Sequence, residues 1–126
     1  MKNEKNTKGT SDRFKGYENR ETWTFQFRIT EDIYTYARLR DMARDSYAEA
    51  VATEKKHIPT DELACVFLSE KLDEYHEYLI RHVAHESKDI LDMLHEIGSP
   101  WRINYREVAE MVFDSHGATI KETFHG

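Results

Sequence analysis

Seven histidines and one cysteine are the side chains of this 126-residue sequence that most readily bind a metal or attack a substrate. His82 and His85 lie three residues apart in "HVAHE", so a helix would place them on one face with Glu86 beside them. A zinc site needs three or four converging ligands, and the usual helical signature separates two histidines by four residues. The pattern therefore favours structural or solvated histidines, and we predict no metal and no other cofactor.

Nucleophilic catalysis would fall to Cys65, which could act with a histidine as its base. The segment "ELACVFLSE" surrounds Cys65 with apolar residues, where a thiol behaves as a small hydrophobic group. The five glycines of the chain include no phosphate-binding pattern. We therefore predict a buried Cys65 and a protein that is not an enzyme.

Carboxylates form the most distinctive charge pattern. Residues 61–100 contain ten acidic and three basic groups, a net charge of −7, whereas residues 1–20 contain six basic and three acidic groups, a net charge of +3. Helical spacing would put four of the acidic residues on one solvent-facing surface: Glu70, Asp73, Glu74 and Glu77. Such a face either keeps the protein in solution or binds a basic partner, and it would repel nucleic acid.

The elements that must position these residues are helices. Scarce glycine and proline, high charge and apolar residues at helical spacing predict one all-α domain over residues 14–126 with about five helices. Residues 1–13 are polar and lack periodicity, which predicts a short disordered tail. The absence of an apolar leader or membrane-length segment, together with the unpaired cysteine, predicts a soluble, cytoplasmic protein.

The first two helices have clear start signals. Asn19 is a good N-cap, and Glu21 then lies in the first turn of a helix over about residues 20–29. Trp23 and Phe27 share one face of that helix, so we predict that they anchor it in the core, with an aromatic ligand site as the alternative. Thr30 is expected to cap the second helix. Its predicted buried stripe comprises Ile33, Tyr36, Leu39, Ala43, Tyr47 and Val51.

Three more helices follow. Thr60 is expected to cap the third, with a buried stripe of Leu68, Leu72, Tyr75, Leu79 and Val83. Ser87 is expected to cap a fourth helix, which Gly98 ends and which buries Ile90, Leu91, Leu94 and Ile97. Asn104 and Glu107 form the capping-box pattern of a last helix, flanked by Ile103 and Val108 as a hydrophobic staple.

The C-terminal segment "REVAEMVFDSHGATIKETF" also has the outline of a helix-turn-helix, with a second helix opening at Thr119 and Ile120. Only Lys121 would face DNA phosphates from that second helix, whereas recognition helices carry several basic residues. A small DNA-binding regulator is therefore the alternative function.

Two short motifs resemble those of a family of small proteins common in phages and other mobile elements of bacteria. Asn19-Arg20-Glu21-Thr22-Trp23 is similar to its Asn-Tyr-Glu-Thr-Trp signature, and residues 31–37, "EDIYTYA", to its acidic Leu-Tyr-x-x-Ala continuation. Ile103-Asn104-Tyr105-Arg106-Glu107-Val108-Ala109 resembles its Val-Asn-Trp-Arg-Glu-Ile-Ala motif. Arg20, Thr24 and Tyr105 depart from the family pattern.

The resemblance implies a phage-related accessory role and brings no established activity. Together with the acidic middle of the chain, it predicts an inhibitor that binds a basic, nucleic-acid-binding defence protein of the bacterial host, such as a CRISPR nuclease. That function would act through protein–protein binding in the host cytoplasm, without membrane association and without direct nucleic-acid binding.

Overall fold

The computed structural model describes residues 14–53 and 57–125, and within them it has five α-helices. These are α1 (Arg20–Glu31), α2 (Ile33–Ala52), α3 (Thr60–Tyr78), α4 (Lys88–Ile97) and α5 (Tyr105–His125). A π-helical turn, Leu79–Val83, continues α3, and a 3₁₀ turn, Pro100–Arg102, precedes α5. The predicted all-α domain is confirmed. The predicted disordered tail, residues 1–13, lies outside the described residues.

Side-chain caps start three helices where the sequence predicts them. Asn19 accepts a hydrogen bond from the Thr22 N–H at 2.8 Å, and Ser87 Oγ accepts one from the Ile90 N–H at 3.2 Å. The Asn104 side chain accepts one from the Glu107 N–H at 3.0 Å. Each cap satisfies a backbone donor that has no partner inside its helix.

Two other predicted caps are wrong. Asp32, not Thr30, caps α2, because its Oδ1 accepts hydrogen bonds from the N–H groups of Tyr34 (2.9 Å) and Thr35 (3.0 Å). The Thr30 hydroxyl instead donates back to the Gln26 carbonyl inside α1. Thr60 is the first residue of α3 rather than its cap, and Pro59 takes the cap position without a side-chain hydrogen bond.

The core lies where α2, α3 and α5 pack together, with α1 covering one end and α4 packing on α1 and on the π turn. Leu39 of α2, Leu68 and Leu72 of α3, and Val108 and Val112 of α5 are all buried. Cys65 is buried in the same cluster, as predicted, and its burial raises the pKa of the thiol. A buried thiol with a raised pKa is a poor nucleophile.

The core anchor of α1 is Phe25, so the prediction for Trp23 and Phe27 is wrong. Phe25 is fully buried, whereas Phe27 is 40% exposed and Trp23 is only half-buried. At about 100° per residue, Trp23 lies roughly 160° around the helix from Phe25. Trp23 stacks on Phe27 with ring centroids 5.0 Å apart, and the Lys15 ammonium lies 4.3 Å from the Trp23 ring. These aromatic side chains form an outer cluster on α1.

The buried stripe of α2 is shifted from the predicted one at both ends. Ile33 is 77% exposed and Val51 is 41% exposed, although Leu39, Ala43 and Tyr47 are buried as predicted. The stripe begins at Thr35, whose hydroxyl donates to the Ile29 carbonyl at 2.8 Å across the α1–α2 junction. In α4, Met93 is buried in place of the predicted Leu91.

The C-terminal helix-turn-helix is also wrong. Tyr105–His125 is one continuous helix, with no turn between the two predicted helices. Gly117 is buried inside this helix. The continuous helix packs on the core through Val108, Val112 and Ile120, so its inward face is not available to DNA.

Candidate functional site

The two motifs that carry the family resemblance meet at one junction, although about 80 residues separate them. The Asn19 side-chain amide donates to the Arg102 carbonyl at 2.7 Å, and the Asn104 side-chain amide donates to the Glu18 carboxylate at 2.6 Å. The Asn104 backbone N–H donates to the Thr22 hydroxyl at 2.9 Å. Each asparagine thus caps its own helix, and its side-chain amide also bonds the residue that directly precedes the other motif. We call this set of residues the cap junction.

Glutamates complete the cap junction. Glu107 accepts a hydrogen bond from the Glu18 N–H at 2.8 Å, so the return bond of the predicted capping box runs to another segment of the chain. Glu21 forms an ion pair with Arg102 at 3.2 Å. Burial raises the pKa of Glu21, but its backbone hydrogen bond and Arg102 outweigh this and hold the pKa below its usual value. The predicted motif residues Asn19, Glu21, Asn104 and Glu107 therefore join α1 to α5.

His76 is a buried residue that the sequence analysis did not single out. It is 2% exposed, and a 2.7 Å hydrogen bond joins its Nδ1 to the Tyr105 hydroxyl. The Phe25 ring lies 4.9 Å from the His76 ring and meets the Tyr105 ring edge-on at 5.4 Å. His76 follows the buried Leu68 and Leu72 at four-residue steps, and this spacing could have identified it.

Burial sets the protonation of this pair. It lowers the pKa of His76 to about 4. Burial, followed by the nearby negative charges of Asp73 and Glu77, raises the pKa of Tyr105 above its ordinary value. Both groups are therefore neutral near pH 7, and the hydrogen bond between them joins α3 to α5 without a buried charge.

Acidification should destabilise the protein through His76. The unfolded chain binds a proton at this residue near pH 6.5, but the folded chain does so only near pH 4, so stability is lost as the pH falls through that interval. The loss should reach roughly 2 kcal/mol by pH 5. Urea unfolding at pH 7, 6 and 5 measures it. His76→Phe should flatten this pH dependence, whereas the exposed-site control His82→Ala should retain it. A wild-type stability that is constant from pH 7 to pH 5 would contradict the prediction.

All four predicted partner-binding residues, Glu70, Asp73, Glu74 and Glu77, are exposed on α3. Among the described residues, only Glu77 of the four forms an ion pair, with Arg81 at 2.8 Å. The four do not share one cavity. Asp73 and Glu77 line a groove on one side of α3, and Glu74 lines another on the other side, beside Arg38 and Lys71.

The groove next to Asp73 and Glu77 contains the most exposed large hydrophobic residue among those described. This is Trp101, which is 88% exposed on the 3₁₀ turn. The groove has a volume of about 600 Å³, and Ile80 of the π turn, Pro100 and His76 are among the residues that line it. An adjoining cavity of about 650 Å³ shares those three residues and adds Ala84, His85, Leu91, Leu94, His95 and Gly98. We call the two together the Trp101 groove.

The Trp101 groove combines two chemical characters. Its acidic end holds Asp73 and Glu77 together with Arg81. Its largely apolar end holds the 38%-exposed Leu91, with His85 and His95 beside it, and the 39%-exposed Ile80 lines both ends. Exposed tryptophan and aliphatic side chains beside a charged rim are typical of protein-binding surfaces. Helical spacing in the sequence predicts the exposed acidic residues, whereas no sequence pattern indicates Trp101.

Other chemistry has less support in the structure. Within residues 14–53 and 57–120, no three histidine, cysteine or carboxylate side chains are arranged to hold a metal ion. His82 lies on the exposed side of the π turn, 5.3 Å from the Tyr78 ring. None of the described helices has the length and apolar character needed to span a bilayer.

No protein-family model matches the chain, and neither the curated proteins nor the solved structures gave a significant match. The resemblance carried by the two motifs stays a prediction.

Proposed function

We propose that this protein is a phage- or mobile-element-encoded inhibitor that binds and blocks a basic, nucleic-acid-binding defence protein of the bacterial host. A CRISPR nuclease is one such basic, nucleic-acid-binding target. The acidic face presents the charge that such a protein normally meets on a phosphate backbone. The inhibitor would act in the host cytoplasm through protein contacts, without catalysis.

One observation carries the proposal: two of the four exposed acidic residues of α3, Asp73 and Glu77, line a groove together with an exposed tryptophan. Solvated carboxylates alone need no binding role, because they keep a protein in solution. Solubility does not explain a tryptophan that is 88% exposed beside Asp73 and Glu77, because a large exposed ring promotes association. Charge at the rim speeds association, and a buried aromatic anchor slows dissociation.

The phage-like motifs supply the biological setting of the proposal, since they resemble a family common in mobile elements. The cap junction gives the asparagines and glutamates of these motifs a structural role. The Trp101 groove is therefore the candidate functional surface. DNA binding, the alternative function, loses its sequence support with the continuous helix α5. The formal net charge of −6 opposes it further.

A plasmid-interference assay tests the proposal. Bacteria that carry one defined defence system, in turn a CRISPR nuclease or a restriction enzyme, are challenged with a targeted plasmid with and without this protein. We expect the protein to restore transformation for at least one system, and the purified effector to form a complex with it in size-exclusion chromatography. Full interference by every system tested would contradict the proposal.

A further inference from the structure

The Trp101 groove is polarised along its length, and this polarity constrains what can occupy it. From Asp73 to Ala84 the groove follows α3 and the π turn for eleven residues, a helical rise of about 16 Å. Two carboxylates and Arg81 lie at one end, and aliphatic side chains with His85 and His95 lie at the other. A segment bound along the groove would therefore need basic groups at one end and apolar groups at the other.

We propose that the Trp101 groove binds a segment of the target protein that carries Lys or Arg at one end and aliphatic or aromatic side chains at the other. This inference rests on the proposed function and adds the chemistry of the partner. Trp101 is the main anchor, because it lines the groove beside the carboxylates and is the most exposed large hydrophobic residue among those described. Removing its large exposed ring from water would contribute most of the affinity.

Charge complementarity favours this occupant over the alternatives. The carboxylate of Asp73 forms no ion pair with another described residue, so it can form an ion pair with a basic group of a partner. Arg81 pairs with Glu77 at 2.8 Å, but both side chains are exposed and can exchange partners at little cost. The chain's own residues 1–13 are basic but contain no apolar side chain beyond Met1, so they match only half of the groove.

The shape of the groove agrees with a bound peptide. The π turn brings Ile80 into both cavities, and the Ala84 N–H donates to the Leu79 carbonyl at 2.9 Å with the wider spacing of a π-helix. π-helical turns occur frequently at functional sites. About 16 Å is also the length of three turns of a bound helix.

Fluorescence anisotropy with three labelled 12-residue peptides tests the inference. The first peptide carries lysines in one half and leucines in the other, the second replaces the leucines by serines, and the third replaces the lysines by glutamates. We expect the full-length protein to bind the first peptide and to bind the other two at least about tenfold more weakly. Equal binding of the first two peptides would overturn the inference, because charge alone would then explain it.

Variants locate the binding. Trp101→Ala should weaken binding of the leucine–lysine peptide roughly 30-fold, the loss typical of a main anchor. Tyr34→Ala is the matched control, because Tyr34 is 82% exposed and does not line the groove, and it should change affinity by less than about twofold. Unchanged affinity of Trp101→Ala would overturn the inference. Thermal melting of both variants shows whether they remain folded.

Two further measurements separate other occupants. If sedimentation shows a dimer that Trp101→Ala dissociates, a second copy fills the groove and the inference is wrong. If a chain that begins at residue 14 binds the peptide much more tightly than the full chain, residues 1–13 occupy the groove and the inference is again wrong. We expect a Trp101-independent oligomeric state and equal affinities.

The proposed function and this inference can fail separately. Inhibition of a defence system without binding of the leucine–lysine peptide would overturn the inference about the groove and support the proposed function. Peptide binding that depends on Trp101, without inhibition of any system tested, would overturn the proposed function and support the inference about the groove.

Discussion

Phe25→Ala is expected to lower the free energy of unfolding by roughly 3–5 kcal/mol, a large fraction of the stability of a small domain. Phe25 is fully buried and packs against the His76 and Tyr105 rings. Its truncation would leave a cavity at the point where α1, α3 and α5 meet, and the surrounding rings cannot collapse without breaking the His76–Tyr105 hydrogen bond. Urea denaturation at pH 7 measures the change.

Trp23→Ala is the matched control, since it removes an aromatic side chain two residues away on the same helix. Trp23 is half-buried and packs against Phe14 and Phe27, so its loss should cost about 1–2 kcal/mol. A Trp23→Ala variant that is less stable than Phe25→Ala would show that the outer cluster, and not Phe25, anchors α1.

Helix caps were predictable from the sequence because they depend on residues close together in the chain. Asn19, Ser87 and Asn104 cap the helices they were expected to cap. The prediction for Thr30 failed because another cap-forming residue, Asp32, lies two residues away. The prediction for Thr60 failed because Pro59 takes the cap position. The local sequence alone does not show which of two neighbouring residues forms the cap.

The direction of side chains was harder to predict because it depends on the partners of each helix. Trp23 and Phe25 differ by half a helical turn, and both faces of α1 carry aromatic residues. Only the position of α3 and α5 makes Phe25 the buried one. The same limit applies to Ile33, which lies at the exposed α1–α2 corner although its spacing fits the buried stripe.

The candidate site was half predictable for a similar reason. Glu70, Asp73, Glu74 and Glu77 belong to one regular helix, so their spacing predicts that all four are exposed, but only Asp73 and Glu77 line the Trp101 groove. Trp101 follows a proline in a short 3₁₀ turn, where no periodicity indicates which way a side chain points. Its position beside Asp73 and Glu77 depends on contacts between distant parts of the chain.

The helix-turn-helix outline is wrong because tertiary packing keeps the C-terminal segment in one helix. Gly117 costs about 1 kcal/mol inside a helix relative to alanine, but burial of Val108, Val112 and Ile120 on one face of α5 outweighs that cost. Tertiary packing therefore continues the helix through a residue that favours a turn.

Reversing Glu70, Asp73, Glu74 and Glu77 to lysine should abolish inhibition in the plasmid-interference assay. The four substitutions change the formal net charge from −6 to +2, because each adds two positive charges. The acidic face would then repel a basic target instead of attracting it. The variant should remain folded, because all four positions are exposed and lysine is a good helix former. Binding by the native protein should also weaken as salt rises, since exposed charges are screened beyond about 8 Å at physiological ionic strength.

The matched control reverses four exposed acidic residues outside α3, namely Glu31, Asp41, Glu86 and Asp114, and has the same net charge of +2. It should keep most of the inhibition, because none of these four residues lines the Trp101 groove. Loss of inhibition in both variants would mean that net charge alone determines inhibition. Retention of inhibition in both variants would mean that the four acidic residues of α3 are solvated and have no role in binding. A DNA-shift titration on the same two variants completes the test. A DNA-binding regulator would bind DNA more tightly after either reversal, whereas an inhibitor that acts through the acidic face would lose its protein target only after the first.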